Sequence, residues 1–297
     1  MPVHEQKPLR GVFLLLNALF FFAVLDATAK YLTQTFSIPM LVWARYLTHC
    51  LLMLIFLGPR MGRGLVASKR PLRQVMRAVL LLGCTGFGFA ALSRMPLAET
   101  TATAFTAPLM VAILAGPWLK ERLSGYQWLA VLAGFGGVLL IARPGSAVTP
   151  DGIAFALLAA ACYAVYQILT RQLAVTENSV TMLFYTALVG SVAMTLFLPW
   201  YWAGPMPTAR EAAMIAGLGI LGGCGHFLLI RAFRHAPAST LSPFIYVQMV
   251  WAILLGALVF SHWPDAFSLL GSGVIVACGL YLGLSARYNG RPSPEPS

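Results

Sequence analysis

Apolar residues gather into ten runs, at roughly 9–32, 38–58, 73–93, 97–119, 125–143, 152–172, 179–200, 210–233, 238–261 and 266–287. Each is about 20 residues long, the length that carries a helix across a hydrocarbon core. Short polar connections separate the runs. Prolines and glycines fall inside them rather than collecting in loops, as membrane helices tolerate. The expected fold is all-α, a polytopic membrane protein of ten transmembrane helices, followed by a polar, proline-rich and disordered tail at 289–297.

Two runs echo each other. PLAETTATAFTAPLMVAILAGPWLKERL, from Pro96, and PASTLSPFIYVQMVWAILLGALVFSHW, from Pro237, both open on proline and a hydroxyl-rich turn before about 20 apolar residues. Their starts lie 141 residues apart. The same offset places Gly11 on Gly152, Phe22–Val24 on Tyr163–Val165, Lys30 on Arg171, Leu32 on Leu173, Met53 on Met194 and Ala91 on Ala232. An offset that fits four helix pairs without a gap predicts an internal duplication, with one five-helix unit at 1–147 and another at 148–288. Five crossings is an odd number, so the second unit enters the bilayer from the opposite side. Two inverted repeats around a central cavity is the arrangement that exposes one site to either side in turn.

Composition agrees with this reading. Hydrophobic residues make up 59% of the chain and charged residues 10%, far from the soluble balance in which about 25% are charged. The net charge of +11 would suggest nucleic acid in a soluble protein, but here the charges sit between apolar runs, where they set orientation and meet lipid heads. Fifteen Lys and Arg fall on the side of the N-terminus and four on the other, with Arg45 inside the second run. Both termini are therefore expected in the cytoplasm of a bacterial-type inner membrane. The first run carries Asp26 and Lys30 and has no small-residue cleavage pattern, so it reads as a retained helix. Cys50, Cys84, Cys162, Cys224 and Cys278 all lie in apolar runs without CxxC spacing and read as small hydrophobes.

The stretches PLAETTATAFTAPLMVAILAGPWLKERLSGYQWLAVLAGFGGVLLIARPG and APASTLSPFIYVQMVWAILLGALVFSHWPDAFSLLGSGVIVACGLYLG, each closing one unit, resemble the EamA-type branch of the drug/metabolite transporter superfamily. The likeness covers nearly the whole chain. Within that branch it is nearest to bacterial inner-membrane exporters of amino acids, including aromatic ones. One departure stands out: the second repeat of the family usually has Gly-Glu before Trp-Pro, whereas Ser261 and His262 precede Trp263 and Pro264 here.

Ionisable and polar residues inside the runs are the functional candidates, because lipid makes them costly. Asp26 and Lys30 are four apart on one helix face and can pair. Arg45, followed by His49 one turn deeper, either joins them in a structural network or meets a substrate carboxylate while Asp26 takes an amine or a proton. Tyr163, Tyr166, Gln167 and Thr170 form a polar, aromatic stripe. Ser242, Tyr246, Gln248 and Trp251 occupy the ninth run behind Pro243, and Asn17, Thr103 and His226 are further mid-membrane polar groups. These residues read either as lining for an amphipathic solute or as interhelical hydrogen bonding and interfacial belts. The substrate-cavity set expected is Asn17, Thr103, Tyr163, Tyr166, Gln167, His226, Tyr246, Gln248 and Trp251. Pro108 predicts a kink in the fourth run.

Gly217, Gly219 and Gly222 match GxGxxG, but the motif lies within an apolar run and lacks the preceding strand of a dinucleotide site. Close helix packing explains it, as it does Gly134, Gly136 and Gly137. Glu99 and Glu121 fall near the ends of their run and read as anchors. There is no HExxH, GxSxG or P-loop, so catalytic, metal-ligating and cofactor-binding sets are all expected to be absent. The chain reads as a secondary transporter or facilitator that exports small metabolites, most plausibly amino acids including aromatic or neutral ones, by alternating access. Drug or other-metabolite carriage is the alternative, and an intramembrane enzyme is the reading from another class. The expected partners are a small-molecule substrate and membrane lipids, with no nucleic acid, and the pattern is compatible with a monomer.

Overall fold

The structure, a computed structural model, describes residues 8–119, 124–143, 145–174, 176–201, 205–236 and 241–289. Glu121 at the end of the fourth run, the Pro237 start of the ninth, and the tail from 290 lie outside the described residues.

Every regular element is helical among these residues. The first unit holds α1 (Pro8–Leu32), α2 (Ile38–Met61), α3 (Pro71–Leu92), α4 (Leu97–Ala104), α5 (Ala107–Leu119) and α6 (Gly125–Ile141). The second holds α7 (Pro150–Leu173), α8 (Ser179–Tyr201), α9 (Ala209–His235), a 3-10 turn at Ser242–Tyr246, α10 (Val247–Phe260) and α11 (Ala266–Asn289). Among the described residues eight spans are long and apolar enough to cross a membrane, with α4 and α5 together supplying one of them. Two shorter apolar helices, Gly125–Ile141 and Phe244–Phe260, occupy the fifth and ninth runs. The protein is an all-α, multi-pass membrane protein.

Helix ends are marked where the chain meets water. Ser124 and Gln127 form a capping box at α6, Thr208 and Glu211 another at α9, and the Thr149 side chain caps α7. Between the caps the outer surface is apolar. Leu132, Leu139 and Leu258 are 65%, 73% and 81% exposed, a surface that suits lipid and would aggregate in water.

The fourth crossing is broken at Phe105 and Thr106, between α4 and α5. Proline lacks an N–H and crowds the carbonyl four residues earlier, so Pro108 cannot continue the ladder to Ala104. Four threonines supply the other cause. Thr100, Thr101 and Thr103 donate to the carbonyls of Pro96, Leu97 and Glu99 at 2.8, 2.9 and 2.8 Å, and Thr106 donates to Thr103 at 2.7 Å. Such back-bonding loosens and bends a helix.

Helix pairing follows the duplication. α1 packs on α9 and α10; correspondingly, α7 packs on α3 and on α4 and α5. α2 packs on α9 as α8 packs on α3, and α2·α8, α6·α11 and α4·α10 pair across the units. Exchanging the units leaves this pattern unchanged. Without a hydrophobic drive between helices in lipid, close backbone approach has to supply the contact. At the α6·α11 crossing a Cβ on Gly137 would lie 2.7 Å from the Gly271 carbonyl oxygen. Of the GxGxxG glycines only Gly219 serves the same end at α2, where a Cβ would lie 2.7 Å from the Arg45 carbonyl oxygen; Gly217, like Gly136, faces open space, and Gly222 meets side chains of Leu25 and Arg45.

Among the described residues, polar contacts between acidic and basic side chains of the two units gather at the end that holds Lys30. Arg94 Nε lies 2.6 Å from Asp151, Arg143 Nη2 3.0 Å from Asp265, and His262 Nε2 3.3 Å from Glu99. At the opposite end Glu177 accepts from the backbone N–H groups of Lys69 and Arg70, both at 3.0 Å.

Candidate functional site

A cavity of about 410 Å³ lies between the units, within the range that holds a drug-sized solute. It is walled by α1, α2, α3, both pieces of the fourth crossing, α7, α9, the 3-10 turn with α10, and α11; α6 and α8 contribute nothing to it.

Arg45, from α2, lines the cavity. Its Nη1 donates to Thr85 Oγ1 at 3.0 Å, and the guanidinium carbon sits 5.7 and 5.8 Å from the rings of Tyr46 and Phe89. Tyr46 braces the arrangement, with its hydroxyl 2.8 Å from Thr85 Oγ1 and 3.1 Å from the Leu81 carbonyl. A guanidinium has five N–H donors in a planar fork, and only one of Arg45's is used by a described residue. Asp26 lines the cavity from α1 and accepts one long hydrogen bond, 3.4 Å, from Gln248 Nε2. No ion pair joins Asp26 to Lys30 or Arg45 among the described residues. Lys30 instead donates to the carbonyls of Leu92 and Met95 at 2.9 and 2.8 Å and lies 5.5 Å over the Phe260 ring.

Tyr163, Gln167, His226, Tyr246 and Gln248 join Asp26 and Arg45 in the lining. The other residues expected there lie elsewhere. Asn17 Nδ2 donates to the Phe13 carbonyl within its own helix, and Thr103 is fully buried with its hydroxyl on Glu99. Trp251 packs edge-on against Phe20, with ring centroids 5.1 Å apart. Tyr166 stacks on Tyr163 at 5.7 Å and takes a hydrogen bond from Arg77 Nη2 at 2.8 Å. Arg77, counted from sequence only as a basic charge, is in fact buried. It also donates to Thr170 and Thr186 and to the Met182 carbonyl, and so ties α3 to α7 and α8. His49 is buried beside His226 with the rings nearly parallel and 6.5 Å apart.

Several lining residues carried no polar signal in the sequence. Phe22 meets His226 at 5.0 Å between centroids, and Phe105 meets Tyr246 at 5.1 Å. Spacing identifies them all the same. Six pairs of lining positions stand 141 residues apart: Phe22 and Tyr163, Asp26 and Gln167, Thr85 and His226, Ala104 and Ile245, Phe105 and Tyr246, and Ala107 and Gln248.

The EamA-like transporter model matches this chain twice, at residues 9–143 and 151–283. The chain belongs to the EamA-like transporter family. An S-adenosylmethionine uptake transporter of Rickettsia bellii is 28% identical over 258 residues, covering 86% of this chain and 87% of that protein. A riboflavin transporter of Vibrio cholerae is 26% identical over 285 residues, covering 92% of each. A solved crystal structure superposes with a TM-score of 0.62 at 20% identity, covering 96% of this chain and 100% of the other, which establishes a shared fold. As an EamA-like protein the chain is a transporter of small molecules and not an enzyme. The relatives' names do not include amino-acid export, the activity expected from the resemblance.

Proposed function

We propose that this protein is a secondary carrier for a small metabolite that joins an ammonium-carboxylate head to a planar aromatic body. One observation carries the reading: Asp26 and Arg45 present a carboxyl and a guanidinium to the same cavity, whose remaining wall is largely aromatic and aliphatic. Arg45 takes the carboxylate in a forked hydrogen bond, Asp26 takes the cationic group, and the ring lies between Phe22, Phe105 and Tyr246. S-adenosylmethionine, the solute in the names of several relatives, has such a head and body. An aromatic amino acid is the smallest solute that does, which keeps amino-acid export within the proposal.

The carrier works by alternating access between two inverted repeats, 1–147 and 148–288. It sits in a bacterial inner membrane with both termini cytoplasmic, an orientation supported by the 15 to 4 bias of basic residues. Proteoliposomes test the proposal. Labelled S-adenosylmethionine, riboflavin, phenylalanine and tyrosine are offered with and without a pH gradient. Zwitterion flux above protein-free vesicles is expected, and Asp26→Asn and Arg45→Gln are each expected to lower it about tenfold or more, the loss of one charge-assisted contact. Flux of riboflavin alone, or zwitterion flux indifferent to both substitutions, overturns the assignment of the head group. Dependence on the gradient separates proton exchange from facilitated diffusion.

A further inference from the structure

The six paired positions in the cavity do not carry equivalent chemistry. Where the first unit places Phe22, the second places Tyr163; for Phe105 it has Tyr246, for Ala107 Gln248, for Thr85 His226 and for Asp26 Gln167. Both formal charges of the lining, Asp26 and Arg45, belong to the first unit. In five of the six pairs the second unit contributes a larger neutral group or a hydroxylated ring that can donate or accept a hydrogen bond. The two walls are built on one backbone plan but differ in polarity.

Depth separates them further. Asp26 lies six residues before the end of α1 at Leu32, and Gln167 six before the end of α7 at Leu173. The two helices enter from opposite faces in an inverted repeat, so with 1.5 Å of rise per residue these side chains stand roughly 18 Å apart along the membrane normal. The two phenyl-to-phenol pairs lie between them. Tyr163 Oη, Tyr246 Oη and the Gln167 amide make no hydrogen bond to any described residue, while Gln248 is partly engaged by Asp26. Groups of this kind, free and facing a cavity, reject solutes that leave them unpaired.

We propose that Tyr163, Gln167 and Tyr246 form a neutral subsite that reads the heteroatom edge of an uncharged nitrogen-containing ring, with Gln167 as its specificity-determining residue. This rests on the carrier reading above and adds the second end of the solute. A primary amide presents a donor and an acceptor side by side, the complement of the adjacent ring nitrogen and amino or carbonyl group found on a purine or a flavin. A phenyl ring offers no such edge.

Flux of S-adenosylmethionine, riboflavin and phenylalanine is measured in proteoliposomes for the wild type, Gln167→Leu and the double variant Tyr163→Phe/Tyr246→Phe, which gives the second unit the rings of the first. Both variants keep the size of the side chains, and monodispersity in detergent checks that they fold. The expected result is a loss of about tenfold in the ratio of heterocycle to phenylalanine flux for Gln167→Leu, one unmade buried hydrogen bond, and a smaller loss for the tyrosine pair. An unchanged ratio in Gln167→Leu, or wild-type flux of phenylalanine alone, overturns the subsite. Absence of wild-type flux for all three probes overturns the carrier reading itself, a distinct result.

Discussion

The fourth and ninth crossings are counterparts at an offset of 141, and both are interrupted at the same place by different means. In the fourth, α4 stops at Ala104 and α5 resumes at Ala107, after two intervening residues; in the ninth, the 3-10 turn ends at Tyr246 and α10 starts at Val247. Subtracting 141 puts Tyr246 on Phe105. The prolines do not correspond, for Pro108 falls on Met249 and Pro243 on Ala102. What the two crossings share is the aromatic pair, Phe105 against Tyr246 at 5.1 Å with the rings tilted 56°. The break therefore follows the site where the crossings meet, and each uses whatever local means releases its backbone there.

Removing the shared pair is the strongest way to break this account. Phe105→Ala and Tyr246→Ala are each expected to cost about 3 kcal/mol of stability, the low end for aromatic truncation because both rings face a cavity. The double variant should cost about 1 kcal/mol less than the sum. Unfolding in mixed micelles measures the cycle, and strict additivity would show that the rings do not act together.

The next effect concerns the latch between the same crossings at the Lys30 end. Glu99 is 2% exposed, and its Oε2 has no hydrogen-bond partner while Oε1 faces His262. His262→Ala leaves both oxygens of a buried side chain without a partner and is expected to cost about 2 kcal/mol. Glu99→Gln, which keeps the contact, should cost clearly less. Negligible losses for both variants in thermal unfolding would mean that the contact is unimportant and packing alone holds the crossings.

A smaller change separates the causes of the interruption. Pro108→Ala restores a backbone donor toward Ala104 and should gain about 1 kcal/mol while slowing flux, because a continuous helix resists the bend. Faster flux with Pro108→Ala would detach the break from transport.

The smallest effect is expected beside the ninth crossing, at Asp265. The Ser268 N–H and the Arg143 guanidinium hold its carboxyl below the usual carboxylate range. A depressed value means that the pair's stabilisation is present above that range and fades only as pH falls through the lowered value. The side chains are 43% and 31% exposed, so Asp265→Asn should cost under about 1 kcal/mol at neutral pH.

The number and placement of crossings were legible because each needs its own run of apolar residues, and Pro108 marked the kink to within three positions. The cavity was legible through its polar groups alone, among them Asp26 and Arg45 of the first unit. Tyr163, Gln167, His226, Tyr246 and Gln248 announce themselves as polar groups in lipid. Phe22 and Phe105 do not, since phenylalanine suits lipid, core and cavity alike. Helical spacing also could not separate Tyr163 from Tyr166: the two stack on one face, yet the first opens to the cavity and the second is held by Arg77. That bond spans 89 residues of chain, so no local window contains it. Arg77 itself passed for a basic flank because its neighbours in sequence, Arg70 and Arg73, are basic and exposed.

Cys84 gives the molecule a reporter of its own. It is a free thiol on α3, in the lining between Leu81 and Thr85, whereas Cys50 and Cys224 lie outside that lining. A water-soluble alkylating reagent that reaches it must travel the path the solute travels. The rate of labelling from each face of a vesicle then reads which way the carrier is open, and slowing by a bound solute gives an affinity without a radiolabel.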